Sequence, residues 1–246
     1  MPDINVIKDR LINELWIPTA LEGAKQFKPK LRKNKKMKIL TLTCDDNFNE
    51  VTKFIENKIS QKGLITIWNY DRFKATRLDS EGVAGKILGA TRYEESIKGG
   101  SHEVVEYFPF DILCLDFSSQ DPESENGRIE NEIHGLEKTI GIQRDKGQGK
   151  KGFILLYTTL VNSKELNCRI LINNFDSIRV EGWRNSLVFN GLPEIVTDHD
   201  SKVRIIESVL NQLCTKYNLD IQLTRVVIEL QNAELIYSVA GIIKYR

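Results

Sequence analysis

The first apolar positions of the chain fall at Ile4, Ile7, Leu11, Ile12, Leu15 and Trp16, the three-and-four spacing of a helix with one buried stripe. Pro18 predicts its end, because proline lacks the amide that the next turn needs. From residue 38 the pattern changes. Short apolar and β-branched runs at 38–43, 64–68, 85–89, 110–116 and 153–159 predict strands, and helical stripes alternate with them. Val51, Phe54, Ile55 and Ile59 predict a helix over about 49–60, capped by Asn47 or Asn49 and stopped by Gly63. Ile129, Ile133, Leu136 and Ile140 predict another, broken where Gly147 and Gly149 stand. Ser163 can cap a helix reaching about residue 174, and Val203, Ile206, Val209, Leu210 and Leu213 mark one over 201–217. Residues 176–199 read as an irregular insertion, with Trp183, Phe189 and Pro193 suited to a core or to a partner-facing surface. The last two strands, 221–230 and 234–245, are joined by residues 231–233, too few for a parallel crossover, so they pair antiparallel.

The run at 110–116 is almost entirely apolar until it meets Asp116, the mark of a strand buried on both faces. Strands and helices in this order predict an α/β fold: a Rossmann-like three-layer sandwich, with a mostly parallel sheet and a C-terminal antiparallel hairpin. The expected organisation is an N-terminal helix and basic linker over 1–37, then one α/β domain over 38–246.

Composition narrows the function classes. A chain of 246 residues with 41% apolar and 28% charged residues is ordinary for a globular domain, and its net charge of +1 implies no partner by itself. The distribution is less even. From Lys25 to Lys38 there are eight cations and no acid. Such a strip contacts phosphate or is simply a solvated connection; its candidate nucleic-acid contacts are Lys33, Lys35 and Lys36. The four cysteines have no CxxC pair and the three histidines no ligand spacing, so no metal site and no disulfide framework is expected. Neither GxxxxGK[ST] nor a Gly-x-Ser-x-Gly elbow occurs, which argues against a P-loop NTPase and a serine hydrolase. With no signal peptide and no apolar run of membrane-spanning length, a cytoplasmic setting away from membranes is the expectation.

The element order over about 38–245 resembles the class I S-adenosylmethionine-dependent methyltransferase fold, whose seven-stranded sheet closes with an antiparallel hairpin. The resemblance implies S-adenosylmethionine as cofactor, with ligands beyond the carboxyl ends of the strands. After strand one the family has a loop similar to [DE]xGxGxG. Here "ILTLTCDDNF" puts Thr41 at the acidic position and Thr43, Asp45 and Asn47 at the glycine positions, so these three are carried over as cofactor contacts in a loop without glycine. After strand two, Asp71 in "IWNYD" is placed for the ribose; a carboxylate can accept from both hydroxyls. In "GATRYEES", Tyr93 and Glu94 are the adenine candidates, with Glu95 an alternative to Glu94. After strand four, Asp116, Phe117 and Ser118 stand where amino-methylating nucleic-acid enzymes carry a motif similar to [DN]PP[YF]. They are the implied transfer site, with Phe117 stacking on a base, although both prolines are missing.

Three functions fit these residues. One is a methyltransferase-like protein acting on nucleic acid, with divergent or lost cofactor binding. Another is an inactive methyltransferase-fold subunit, a pseudoenzyme that binds or scaffolds protein partners. The last is a receiver-like phospho-acceptor domain built on Asp45, Asp46, Asp116 and Thr158 or Thr159, since clustered carboxylates bind Mg²⁺ and one can be phosphorylated. The gap from Asp46 to Asp116 is long for the single βα unit a receiver has there.

Overall fold

The N-terminal helix does not stop at Pro18. Helix α1 (Ile4–Leu11) passes through one π turn (Ile12–Trp16) into α2 (Ile17–Phe27). The Ile17 amide donates to the Ile12 carbonyl, five residues back. The wider turn displaces the carbonyls around the axis, so Pro18 enters where the regular fourth-residue bond is already shifted. The apolar spacing resumes at Ala20, Ala24 and Phe27, and α2 runs into the stretch expected to be linker.

This is a computed structural model, in which residues 4–27, 36–42, 49–69, 82, 84–89, 93, 97, 102–117, 128–162, 201–229 and 234–246 are described. The helix expected after Ser163, the insertion 176–199 and the hairpin turn 231–233 lie outside them.

The strands are β1 (Ile39–Leu42), β2 (Ile65–Trp68), β3 (Lys86–Leu88), β4 (Ile112–Asp116), β5 (Gly152–Asn162), β6 (Leu219–Glu229) and β7 (Glu234–Tyr245). They form one sheet in the order β3-β2-β1-β4-β5-β7-β6. The first five are parallel, and β7 runs antiparallel between β5 and β6. The helices are α3 (Asn49–Glu56), α4 (His102–Val105), α5 (Arg128–Lys146) and α6 (Ser201–Lys216). Helix α3 ends four residues before its expected limit at residue 60, and β5 continues past residue 159.

Alternation along each strand divides the core into two layers. Leu40, Leu42, Leu113, Leu115, Phe153, Leu155 and Tyr157 pack with Leu136 and Ile140 of α5 and Leu210 and Leu213 of α6. Ile39, Ile112, Cys114, Ile154 and Leu156 pack with Leu11, Trp16 and Ala20 of the N-terminal helix and Val51 and Phe54 of α3. The N-terminal helix therefore shares the core of the sheet. Gly23 lets α2 come close: a Cβ there would lie 2.5 Å from Ile154 Cδ1. The result is the expected Rossmann-like three-layer α/β sandwich, with the methyltransferase-like strand order.

The same topology removes the receiver-like reading. Receivers use the order 2-1-3-4-5, whereas here β4 neighbours β1 and a hairpin extends the sheet beyond β5. No helix among the described residues is long and apolar enough to cross a membrane.

Candidate functional site at the carboxyl ends of the strands

The carboxyl ends of the parallel strands carry a polar row on the face covered by the N-terminal helix. Thr41 lies opposite Cys114, Asp116 opposite Thr158, and Thr158 opposite Ser238. The helix reaches both ends of this row. Lys8 Nζ sits 3.3 Å from Asp116 Oδ2, with both side chains largely buried. Trp16 Nε1 donates to Ser238 Oγ at 3.2 Å, and Ser238 shares a 2.7 Å hydrogen bond with Thr158 Oγ1. Helix α3 adds Glu50, which is buried and accepts from Thr41 Oγ1 at 3.4 Å.

The opposite face has its own buried acid. Glu132 of α5 accepts from Thr159 Oγ1 at 2.6 Å, and neither residue is exposed. Buried carboxylates are retained only where polar partners stabilise the charge or the proton. Glu50, Glu132 and Asp116 thus bring three carboxyl groups to the carboxyl ends of the strands, the first two of them buried, with Lys8 supplying a cation.

The sequence-based candidates divide. Asp116 stands at this edge, as expected of a strand-tip acid. Phe117 is fully buried, its ring 5.9 Å from that of Tyr157 and its amide bonded to the Thr158 carbonyl. Tyr93 is 1% exposed; its hydroxyl shares a 2.8 Å hydrogen bond with Thr139 and its ring meets Trp68 edge-on. Burial pushes its hydroxyl pKa far up, only partly offset by the Thr139 bond. Thr41 faces Glu50 and Cys114. Lys36 lies apart from all of these, before β1, donating to the Lys58 carbonyl. Thr43, Asp45, Asp46, Asn47, Asp71, Glu94, Glu95, Ser118, Lys33 and Lys35 lie outside the described residues.

Lys8, Glu50 and Glu132 were not singled out from the sequence. A signal was there, because each is a charged residue on its helix's apolar stripe. Lys8 precedes Leu11 and Ile12 at three and four residues, Glu50 precedes Phe54 by four, and Glu132 precedes Leu136 by four.

Cys114, inside the row, is a free, fully buried thiol. Burial raises its thiol pKa most and the Glu50 carboxylate raises it further, against smaller lowering effects from the Thr41 hydrogen bond and Lys8. Cys214, on α6, is pushed up to about 12, again chiefly by burial. Its contribution to stability is constant below the unfolded-state thiol pKa of about 8.5, then falls as pH climbs towards the folded value, since only the unfolded chain releases the proton there. Iodoacetamide at pH about 8 should therefore leave Cys114 and Cys214 unmodified in the native protein and label both after denaturation. Peptide mass spectrometry reads the result, and rapid native labelling of Cys114 would contradict its assignment as a closed thiol.

For a cofactor of the S-adenosylmethionine type, the described residues are a poor fit. The aromatic candidates Tyr93 and Phe117 are closed into the core, and the tip acid is engaged by Lys8. No group of three or more His, Cys, Asp or Glu positioned to hold a metal occurs among the described residues.

No protein-family model and no curated protein matches the chain. Solved structures similar to it include the methyltransferase domain of bacterial CtHen1-C, at 10% identity and a TM-score of 0.43, covering 95% of this chain and 98% of that one. A cofactor-bound protein from MTB is 9% identical, with a TM-score of 0.42 and coverage of 95% and 81%. A methyltransferase homolog from Pyrococcus horikoshii is 17% identical, with a TM-score of 0.39 and coverage of 92% and 66%. At such scores it is the chain's own strand order that defines its architecture.

Proposed function

We propose that the chain is a methyltransferase-like protein whose binding of S-adenosylmethionine is weakened or lost, and which binds a partner rather than transferring a methyl group. The observation that carries this reading is the Lys8–Asp116 ion pair. An acid that orients a target nitrogen must offer its oxygens to that nitrogen; here a cation from the covering helix engages one of them. The burial of Phe117 and Tyr93 supports the same reading, since a stacking platform needs an open ring face. So does the loop after β1, where Asp45 and Asp46 put negative charge beside the place of a cofactor carboxylate. The partner proposed is nucleic acid, engaged through the basic strip with Lys33, Lys35 and Lys36, in the cytoplasm.

The competing reading is an active methyltransferase, with Thr43, Asp45, Asn47, Tyr93 and Glu94 around the cofactor, Asp71 on its ribose, and Asp116, Phe117 and Ser118 at the transfer site. Isothermal titration with S-adenosylmethionine separates the two. The expected result is weak or undetectable binding. Micromolar affinity that disappears in Asp71→Ala would overturn the proposal.

A further inference from the structure

The amino-terminal edge of the sheet, opposite Asp116, gathers cations from segments far apart in sequence. Lys36 and Lys38 precede β1, and Lys150 and Lys151 precede β5. The reversed direction of β7 brings Lys244 to the same edge, opposite Gly152. Acids there are few. Asp111 accepts from both the Lys38 amide and the Lys150 ammonium, Asp220 is bonded by Arg246, and Asp145 stands exposed near the end of α5. Lys151 and Lys244 are exposed. Burial, and then the charge of Lys150, hold the Lys38 ammonium below its ordinary pKa, with the Asp111 carboxylate opposing them.

Between the end of α2 and these lysines lies a cleft of about 350 Å³, lined by Gln26, Phe27, Lys151 and Lys244. Its size falls in the range of about 300–1,000 Å³ that holds small ligands. Two ammonium groups suit phosphates, and an aromatic ring suits a base. An acidic peptide would satisfy the lysines but would leave the ring unused.

We propose that this edge binds single-stranded nucleic acid, with Lys151 and Lys244 on phosphates and Phe27 against a base. The proposal rests on the nucleic-acid reading above for the class of partner alone, and it puts the binding surface at the opposite end of the sheet from Asp116.

The test is fluorescence anisotropy of a labelled oligothymidine, titrated with the full chain across a salt series. Wild type should bind with an affinity that falls as salt rises. Lys151→Glu with Lys244→Glu should weaken binding at low salt at least tenfold, and should flatten the log–log salt slope by about 1.4, roughly 0.7 for each phosphate no longer neutralised. Phe27→Leu keeps an apolar side chain against the core. It should weaken oligothymidine about tenfold, within the range for removing one base–aromatic stack, while leaving binding of inorganic polyphosphate unchanged. Thermal melts confirm that each variant is folded. Wild-type affinity in the double lysine variant would overturn the proposal. So would equal effects of Phe27→Leu on oligothymidine and polyphosphate, or an oligoglutamate binding as tightly as oligothymidine. If neutralising Lys33, Lys35 and Lys36 abolishes binding while the double lysine variant binds normally, the edge is wrong and the nucleic-acid reading stands. If wild type binds no oligonucleotide, both fall.

Discussion

Trp16→Ala should lower the stability of the chain by about 3–5 kcal/mol, the range for deleting a buried aromatic side chain. Trp16 is only 3% exposed and packs in the layer shared by the N-terminal helix, α3 and β1, β4 and β5. Its removal leaves a cavity between that helix and the sheet. It also takes away the indole donor to Ser238, although Ser238 keeps its bond with Thr158 and a 3.4 Å bond to the Tyr157 carbonyl. Trp16→Phe separates the two contributions. It retains most of the apolar volume and loses the indole donor, so a smaller loss of about 1–2 kcal/mol is expected. Urea unfolding followed by circular dichroism measures both. The midpoint should fall while the slope holds, because the surface exposed on unfolding hardly changes. A loss below about 1 kcal/mol for Trp16→Ala would mean that the helix is only loosely docked and contributes little to the domain.

The position of that helix shows where the sequence was readable and where it misled. The strand starts were legible because a parallel sheet buried on both faces demands apolar runs, and "ILCLD" or "FILLY" can hardly be anything else. The closing hairpin was legible because three residues cannot make a parallel crossover. Pro18 misled. Its local rule is sound, but the π turn before it shifts the hydrogen-bond register, and no single residue announces a π turn. The continuation is nevertheless encoded in Ala20, Ala24 and Phe27, which keep the stripe of Leu11 and Ile12, although the lysines from 25 onward resemble a solvated linker. In the candidate site, the strand-tip acid Asp116 was found from its place at the end of a buried run. Its partner Lys8 was not, because an ion pair joining residues so far apart in sequence follows from tertiary packing and leaves only the weaker trace of a cation on an apolar stripe. Phe117 and Tyr93 were read from motif position alone, which does not tell an exposed ring from a packed one.

Lys8→Met should cost about 3 kcal/mol, the scale for leaving one member of a buried ion pair without its partner. Side-chain exposures of 10% for Lys8 and 13% for Asp116 leave little room for water to take over the solvation of the remaining carboxylate. Lys8→Met with Asp116→Leu should recover most of that loss, because two apolar side chains in contact replace two desolvated charges. The coupling between the substitutions should be at least about 1 kcal/mol, above the few tenths expected of independent sites. Asp116→Leu alone completes the cycle. Asp116→Asn is the isosteric control; it keeps the shape and a hydrogen-bond acceptor while removing the charge, so it should cost less than Lys8→Met. Additive effects would show that Lys8 and Asp116 are stabilised by their other neighbours, and would remove the main support for a carboxyl edge closed by the N-terminal helix. The same variant carries a functional consequence. If the pair is what withholds Asp116, then Lys8→Met should release the carboxylate oxygen that Lys8 engages, and a cationic or hydrogen-bond-donating ligand that reaches the strand edge should bind there more tightly than to wild type. S-Adenosylmethionine, whose sulfonium and amino groups are cationic, is the natural probe. Affinity gained in Lys8→Met and absent in Lys8→Met/Asp116→Leu would tie the weakened cofactor site to this ion pair. If neither variant binds, the barrier lies instead in the glycine-less loop after β1, where Thr43, Asp45 and Asn47 replace the glycines of the family pattern.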